Sequence, residues 1–286
     1  MNALALALVL TAAFLHACWN LLAKRAGGGS PFIFLYFALS TSIYAPVAAI
    51  VWFLWPRSFD LIDVIFIAGN GVLHTVYFIT LQRGYRFGDL SLVYPLARGT
   101  GPLLASIAAI SFFGERPSPI AMAGIVAIVA GVFLASGVHR VRDRAAVISI
   151  WYGLATGVLI AVYTLWDKHA MTALALSPIL YDWGGGFARL LFITPLIKGR
   201  WNEVADGWRR HRFEAFGIAI LSPLAYLLVL WALTWTPVSY VAPARELSIM
   251  FGAIFGITIF RERDRAAARM SGAGLMVLGI AALARG

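Results

Sequence analysis

Arg98, Arg245 and Glu246 lie inside segments otherwise built largely from Leu, Ala, Ile, Val and Phe. Arginine keeps its proton at any ordinary pH. In an apolar segment its charge must therefore find carbonyls, a carboxylate, water or a substrate. Two readings of the trio stand. In one, Glu246 neutralises Arg98 or Arg245 and pins their helices together. In the other, an arginine holds the carboxylate or phosphate of a substrate, which its planar fork can grip with two parallel hydrogen bonds. One carboxylate cannot neutralise two guanidinium groups, so the surplus positive charge favours an anionic or zwitterionic ligand.

Other polar side chains gather at helical spacing. His16, Trp19 and Asn20 fall at i, i+3 and i+4 and share one helix face, and Asn70, His74 and Tyr77 form a second such stripe. Thr156, Tyr163 and Asp167 lie along one side of a third segment, and Ser222 and Tyr226 are one turn apart on a fourth. Tyr94 precedes Arg98 by one turn. We expect a polar cavity lined by His16, Asn20, His74, Tyr77, Tyr94, Arg98, Tyr163, Tyr226, Arg245 and Glu246. A lone histidine in such a segment is as readily a packing donor, so the cavity rests on the set. Lys168 reads as an ordinary solvated helix end, and Trp52, Trp55, Trp151 and Trp235 read as interfacial residues. Asp182 and Arg189 flank a triple glycine at 184–186 and are candidates for structural pairs.

The elements that carry these residues belong in a membrane. The chain is 61% hydrophobic and 13% charged, with mean hydropathy +0.82, where soluble domains carry roughly 25% charged residues. A helix crosses the hydrocarbon core in about 20 residues. Ten segments qualify: 3–23, 32–54, 61–82, 90–112, 119–137, 146–166, 177–197, 214–235, 238–260 and 267–284. Continuous apolar runs without strict alternation exclude a β-barrel. The net charge of +10 comes in clusters between these runs, which suits loops beside anionic lipid rather than a nucleic-acid groove. The single cysteine, Cys18, allows no internal disulfide. The LHAC stretch at 15–18 lacks the basic n-region of a processing segment, so retention as the first span is expected.

Odd-numbered loops hold most of the basic residues, among them Arg83, Arg86, Arg140, Arg142, Arg144, Arg209, Arg210, Arg212, Arg261, Arg263 and Arg265. Even-numbered loops hold only Arg57, Arg116 and Lys168. That bias places the odd loops in the cytoplasm and both termini outside it.

The two halves resemble each other. SLVYPLARG (91–99) aligns with SYVAPARE (239–246), pairing Pro95 with Pro243 and Arg98 with Arg245. GER at 114–116 meets RER at 261–263, and WNLLAKRA (19–26) meets YTLWDKHA (163–170). With five spans per repeat, the second copy enters the membrane inverted, and in such folds substrate sites lie at the repeat interface near the midplane. We therefore expect an all-α polytopic membrane protein with ten transmembrane helices in two inverted repeats, 1–138 and 146–286, joined by a cytoplasmic linker at 139–145. Pro95 and Pro243 are the expected hinges. Glu115 and Glu262 read as caps of the helices that follow them. The pairs Gly252/Gly256 and Gly153/Gly157 read as close helix contacts, with Ala105 and Ala109 the counterparts of the first pair.

HACWNLLAK, YPLARGTGPLL followed by GERPS, and APARELSIMFGAIFG followed by RER are similar to the EamA-type branch of the drug/metabolite transporter superfamily. The likeness covers nearly the whole chain. It implies an inner-membrane secondary permease or exporter of a small metabolite such as an amino acid, with a central cavity between the repeats. Small relatives in that superfamily couple efflux to protons through a glutamate on the first span, and none is present here. Proton coupling would therefore use His16, His74, Asp167 or Glu246. The alternative is a flippase for a lipid-linked substrate. The chain holds no HExxH, GxSxG or Walker loop, so no enzyme, metal or cofactor is expected. The expected partners are a small-molecule substrate and membrane lipid, with no nucleic acid, and a homodimer is left open. Alkaline phosphatase fused after Gly286 should be active in a bacterial host; activity of a cytoplasmic reporter alone would reverse the topology.

Overall fold

The structure is a computed structural model that describes residues 1–26, 29–54, 57–88, 90–136, 144–258 and 266–286. Glu262, Trp55, Arg140, Arg142, Arg261, Arg263, Arg265 and most of the expected linker lie outside the described residues, as do the side chain of Arg144 and the surroundings of Gly256. No strand occurs among the described residues. The helices are α1 (Ala3–Ala26), α2 (Ser30–Leu54), α3 (Leu61–Phe87), α4 (Leu90–Phe112), α5 (Pro119–Ser136), α6 (Arg144–Thr172), α7 (Pro178–Ile193), α8 (Trp201–Trp235), α9 (Val238–Arg245), α10 (Leu247–Thr258) and α11 (Ala266–Arg285). A short 3-10 turn, Thr194–Ile197, extends α7. Residue His211 kinks α8 near the start of its apolar part.

Six helices are long and apolar enough to cross a membrane by themselves: α1, α2, α3, α6, α8 and α11. The segments that miss this measure include the two that carry the paired arginines. Arg98, Pro95 and Pro102 lower the apolar character of α4, and the 238–258 segment is broken at Glu246 into α9 and α10.

Packing follows an exchange of halves. The α1–α8 contact is matched by α6–α3, α2–α8 by α7–α3, α4–α6 by α10–α1, and α4–α5 by α10–α11. The most extensive contact joins α5 to its own counterpart α11. Four glycines explain how closely they meet. A Cβ on Gly124 would lie 2.7 Å from the Gly279 carbonyl, and one on Gly279 would lie 2.7 Å from that of Gly124. Gly131 and Gly272 repeat the arrangement at 2.7 and 2.6 Å. Only residues without a side chain let the backbones approach this far. The α4–α6 contact uses the same device: a Cβ on Gly153 would meet Leu96 Cβ at 2.7 Å, and one on Gly157 would meet Thr100 Oγ1. The triple glycine seats α7 on α3, with Gly184 against Ile67 and Gly185 against Asn70. At Gly252 no close contact is seen among the described residues, where a Cβ would meet nothing within 4 Å. Its counterparts Ala105 and Ala109 are fully buried.

Two sequence-based expectations are corrected at the helix ends. Glu115 does not cap α5, whose first turn is capped by Ser118 Oγ accepting from the Ala121 amide at 3.1 Å. Instead, Glu115 reaches across the halves to the start of α9, accepting from the Val238 and Ser239 amides at 2.6 and 2.9 Å. Lys168 is not a solvated terminus. Its ammonium donates to the Leu233 and Thr236 carbonyls at 2.8 and 3.0 Å, closing the end of α8. The corner between α8 and α9 is thus held by a cation on the carbonyl end of one helix and an anion on the amide end of the next, as helix dipoles favour. Replacing Glu115 by alanine should lower stability by about 0.5–2 kcal/mol, the usual loss for a cap. Thermal unfolding in detergent would show it as a reduced Tm, and an unchanged Tm would deny the cap.

Candidate functional site

The paired segments bring α4 against α9. Arg98 Nε lies 2.8 Å from Glu246 Oε2, and both side chains are buried, at 6% and 1% exposure. A second arm of Arg98, Nη2, donates to Ser248 Oγ at 3.1 Å. The ion pair is close, yet neither Glu246 oxygen accepts an aligned hydrogen bond among the described residues. Glu246 stands where α9 ends, its amide donating to the Pro243 carbonyl at 3.0 Å. The backbone thus breaks three residues after Pro243, whereas α4 runs unbroken through Pro95.

With Glu246 held by Arg98, the neighbouring Arg245 is left without an ion pair among the described residues. It is buried. Its Nη2 donates to the Tyr163 hydroxyl at 3.0 Å, and its guanidinium carbon lies 5.6 Å from the Tyr163 ring centroid. Its Nε has no hydrogen-bond partner among the described residues.

An aromatic and polar network continues from Tyr163. Tyr77 meets the Tyr163 ring edge-on at 5.6 Å, and His74 lies against it at 4.4 Å. His74 Nδ1 is 3.0 Å from the Asn70 carbonyl. A carbonyl only accepts, so this nitrogen carries the proton and, in the neutral ring, Nε2 is left as an acceptor. His74 also meets the Tyr226 ring at 5.2 Å. Tyr226 donates to Asp167 Oδ2 at 2.6 Å, while Asp167 Oδ1 accepts from Tyr181 at 2.8 Å and from Asn70 Nδ2 at 3.1 Å. Asp167 is thus a buried carboxylate satisfied by three neutral donors from α3, α7 and α8. Beside it, Asp182 and Arg189 pair with each other at 2.7 Å, and the guanidinium lies 5.8 Å from the Phe37 ring centroid. The cleft lined by Tyr36, Asp182, Arg189, Ser222 and Tyr226 has a volume of about 40 Å³, room for a few waters and too small for a metabolite.

Of the residues expected in the cavity, the structure brings together His74, Tyr77, Arg98, Tyr163, Tyr226, Arg245 and Glu246. Tyr94 lies within electrostatic range of Arg98 and Glu246. His16 lies within range of Arg98 and Arg245 and packs edge-on against Trp19 at 4.8 Å. Asn20 does not join them. It is exposed, and its amide donates to the His16 carbonyl of its own helix at 2.8 Å. Two participants escaped the sequence reading, Tyr181 and Ser248. Tyr181 lies in the first turn of α7, where a tyrosine reads by default as interfacial, and no spacing in the sequence joins it to Asp167.

A helical bundle of two exchangeable halves, closed around buried charges, defines a multi-pass membrane protein with a polar interior at the junction of its repeats. The chain belongs to the EamA-like transporter family, whose pattern matches residues 3–137 and 147–285. It is accordingly a membrane transporter of the drug/metabolite superfamily. No curated protein matches it. One solved structure, described only as "Crystal structure of protein", is similar to it with a TM-score of 0.79 at 17% identity, covering 100% of this chain and 99% of its own. At that identity the likeness shows the fold alone.

Removing one member of a buried ion pair typically costs about 3–5 kcal/mol, because the other charge stays buried and uncompensated. Arg98→Ala should therefore depress the Tm far more than Arg245→Ala, and Arg98→Met combined with Glu246→Leu should recover much of the loss. Equal losses for the two arginines, read by thermal unfolding in detergent, would contradict this division of roles.

Proposed function

We propose that this transporter moves a small anionic or zwitterionic metabolite, such as an amino acid, across the inner membrane by alternating access. The observation that carries the proposal is the buried Arg245, presented beside Tyr163 with no ion-pair partner among the described residues. A substrate carboxylate or phosphate would supply the missing countercharge, with Tyr77, His74 and the Nε2 lone pair offering aromatic walls and an acceptor for an ammonium group. Arg98 acts as the structural member of the pair.

Ten crossings in two inverted repeats fit the way the segment ends meet. Arg57, in the second loop, donates to the Leu174 and Ala175 carbonyls in the sixth. Arg200, in the seventh, donates to Ser30 at the end of the first. The amino terminus donates to the Leu283 carbonyl at 3.3 Å. Odd ends meet odd ends, even meet even, and the termini share a side, as an even number of crossings requires. The basic odd side is then cytoplasmic. Substrate access needs the halves to rock apart, since the cleft beside Tyr226 is too small for a metabolite. Pro243 and the break after it give α9 a place to bend. Of the coupling candidates, Asp167 can gain a proton without breaking an ion pair, whereas Glu246 is bound to Arg98.

Uptake into proteoliposomes against a panel of amino acids, organic acids and phosphate esters tests the proposal. Arg245→Ala should abolish transport while the protein still inserts, and an imposed pH gradient should drive the wild type but not Asp167→Asn. Unchanged transport in Arg245→Ala would remove it from the site.

A further inference from the structure

A second site lies away from the central network. Between the start of α2 and the end of α3 is a pocket of about 660 Å³, within the range of small-molecule sites. Its polar lining includes Gln82, Arg83 and Arg86, its apolar walls include Ile33 and Phe78, and among the described residues no acidic side chain lines it. Arg83 and Arg86 are exposed and have no ion pair among the described residues. The gap exists because α2 and α3, though consecutive, scarcely touch. α2 packs on α7 and α8, and α3 on α6 and α7. The corresponding helices of the second half, α7 and α8, do pack on each other.

The arginines are peculiar to this half. In the register that pairs Ser91 with Ser239, their counterparts are Trp231 and Thr234, so the repeated fold does not demand them. Cations suit the carbonyl end of α3, and basic residues suit this side of the membrane, but neither preference calls for a pocket with apolar walls. We propose that it binds the headgroup of an anionic phospholipid in the leaflet on the basic side. The two guanidinium groups would grip the phosphodiester, and Ile33 and Phe78 would contact the glycerol and upper acyl chain. The shared chemistry is a phosphate anion. The apolar walls at a helix gap favour a lipid over a free phosphate, since anionic lipid is attracted to juxtamembrane arginines. This inference is independent of the Arg245 proposal.

Native mass spectrometry of the full-length protein in detergent, titrated with phosphatidylglycerol, phosphatidylcholine or inorganic phosphate, tests it. The wild type should retain phosphatidylglycerol in preference to phosphatidylcholine, and inorganic phosphate at the same concentration should not displace it. R83Q/R86Q should weaken retention by roughly five-fold for each arginine removed. R209Q/R210Q, which removes the same charge from another loop on that side, should leave retention unchanged. Equal retention of the two lipids, equal losses in the two double variants, or displacement by inorganic phosphate would each overturn the proposal. Helix content by circular dichroism separates loss of binding from loss of fold. R83Q/R86Q should keep transport activity, so failure here and failure of Arg245→Ala are distinguishable.

Discussion

The structure is organised by the cost of placing permanent charge where water is scarce. An arginine near the middle of a membrane helix is unfavourable by roughly 2.5–3.5 kcal/mol on insertion scales, and this chain places two at its centre. The Arg98–Glu246 contact settles one of them and joins α4 of the first half to the α9–α10 break of the second. Once that carboxylate is committed, the hydrogen-bond partner of Arg245 among the described residues is a phenol, whose ring it also faces. On the proposed reading, the asymmetry of one acid against two bases, set in a nearly symmetric scaffold, separates a structural arginine from one available to a ligand.

The same logic governs the helix ends and the contact surfaces. Glu115 and Lys168 satisfy amides and carbonyls at the α8–α9 corner from the other side of a helix junction. Within lipid no water completes such groups, so side chains from neighbouring segments must. Where no polar group is involved, close backbone approach supplies the packing. The reciprocal placement of Gly124 with Gly279 and Gly131 with Gly272 shows the two halves meeting as copies of each other.

Much of the scaffold was legible beforehand. Apolar runs mark helices because hydrocarbon tolerates no unsatisfied backbone, and every expected span coincides with helical structure where it is described. Polar stripes at helical spacing located most of the network, because residues three and four apart must share a face. Single motifs were less dependable. Small residues four apart mark close packing at Gly153 and Gly157, while Gly252 meets no neighbour within 4 Å among the described residues, since spacing says which face they share and not what lies opposite. Asn20 shows the same limit. It shares a face with His16, but its short amide turns back to the helix carbonyl instead of reaching the interior.

Sequence by itself determined the membrane class, the two related halves and the identity of the charges that need compensation, because composition and periodicity are properties of one chain segment at a time. Tertiary structure alone decided the pairings: Glu246 with Arg98 rather than Arg245, Asp167 with Tyr181, and Glu115 with the start of α9. Each joins residues from different segments of the chain. Which side chains meet depends on how helices rotate and approach, and no spacing within one helix carries that information.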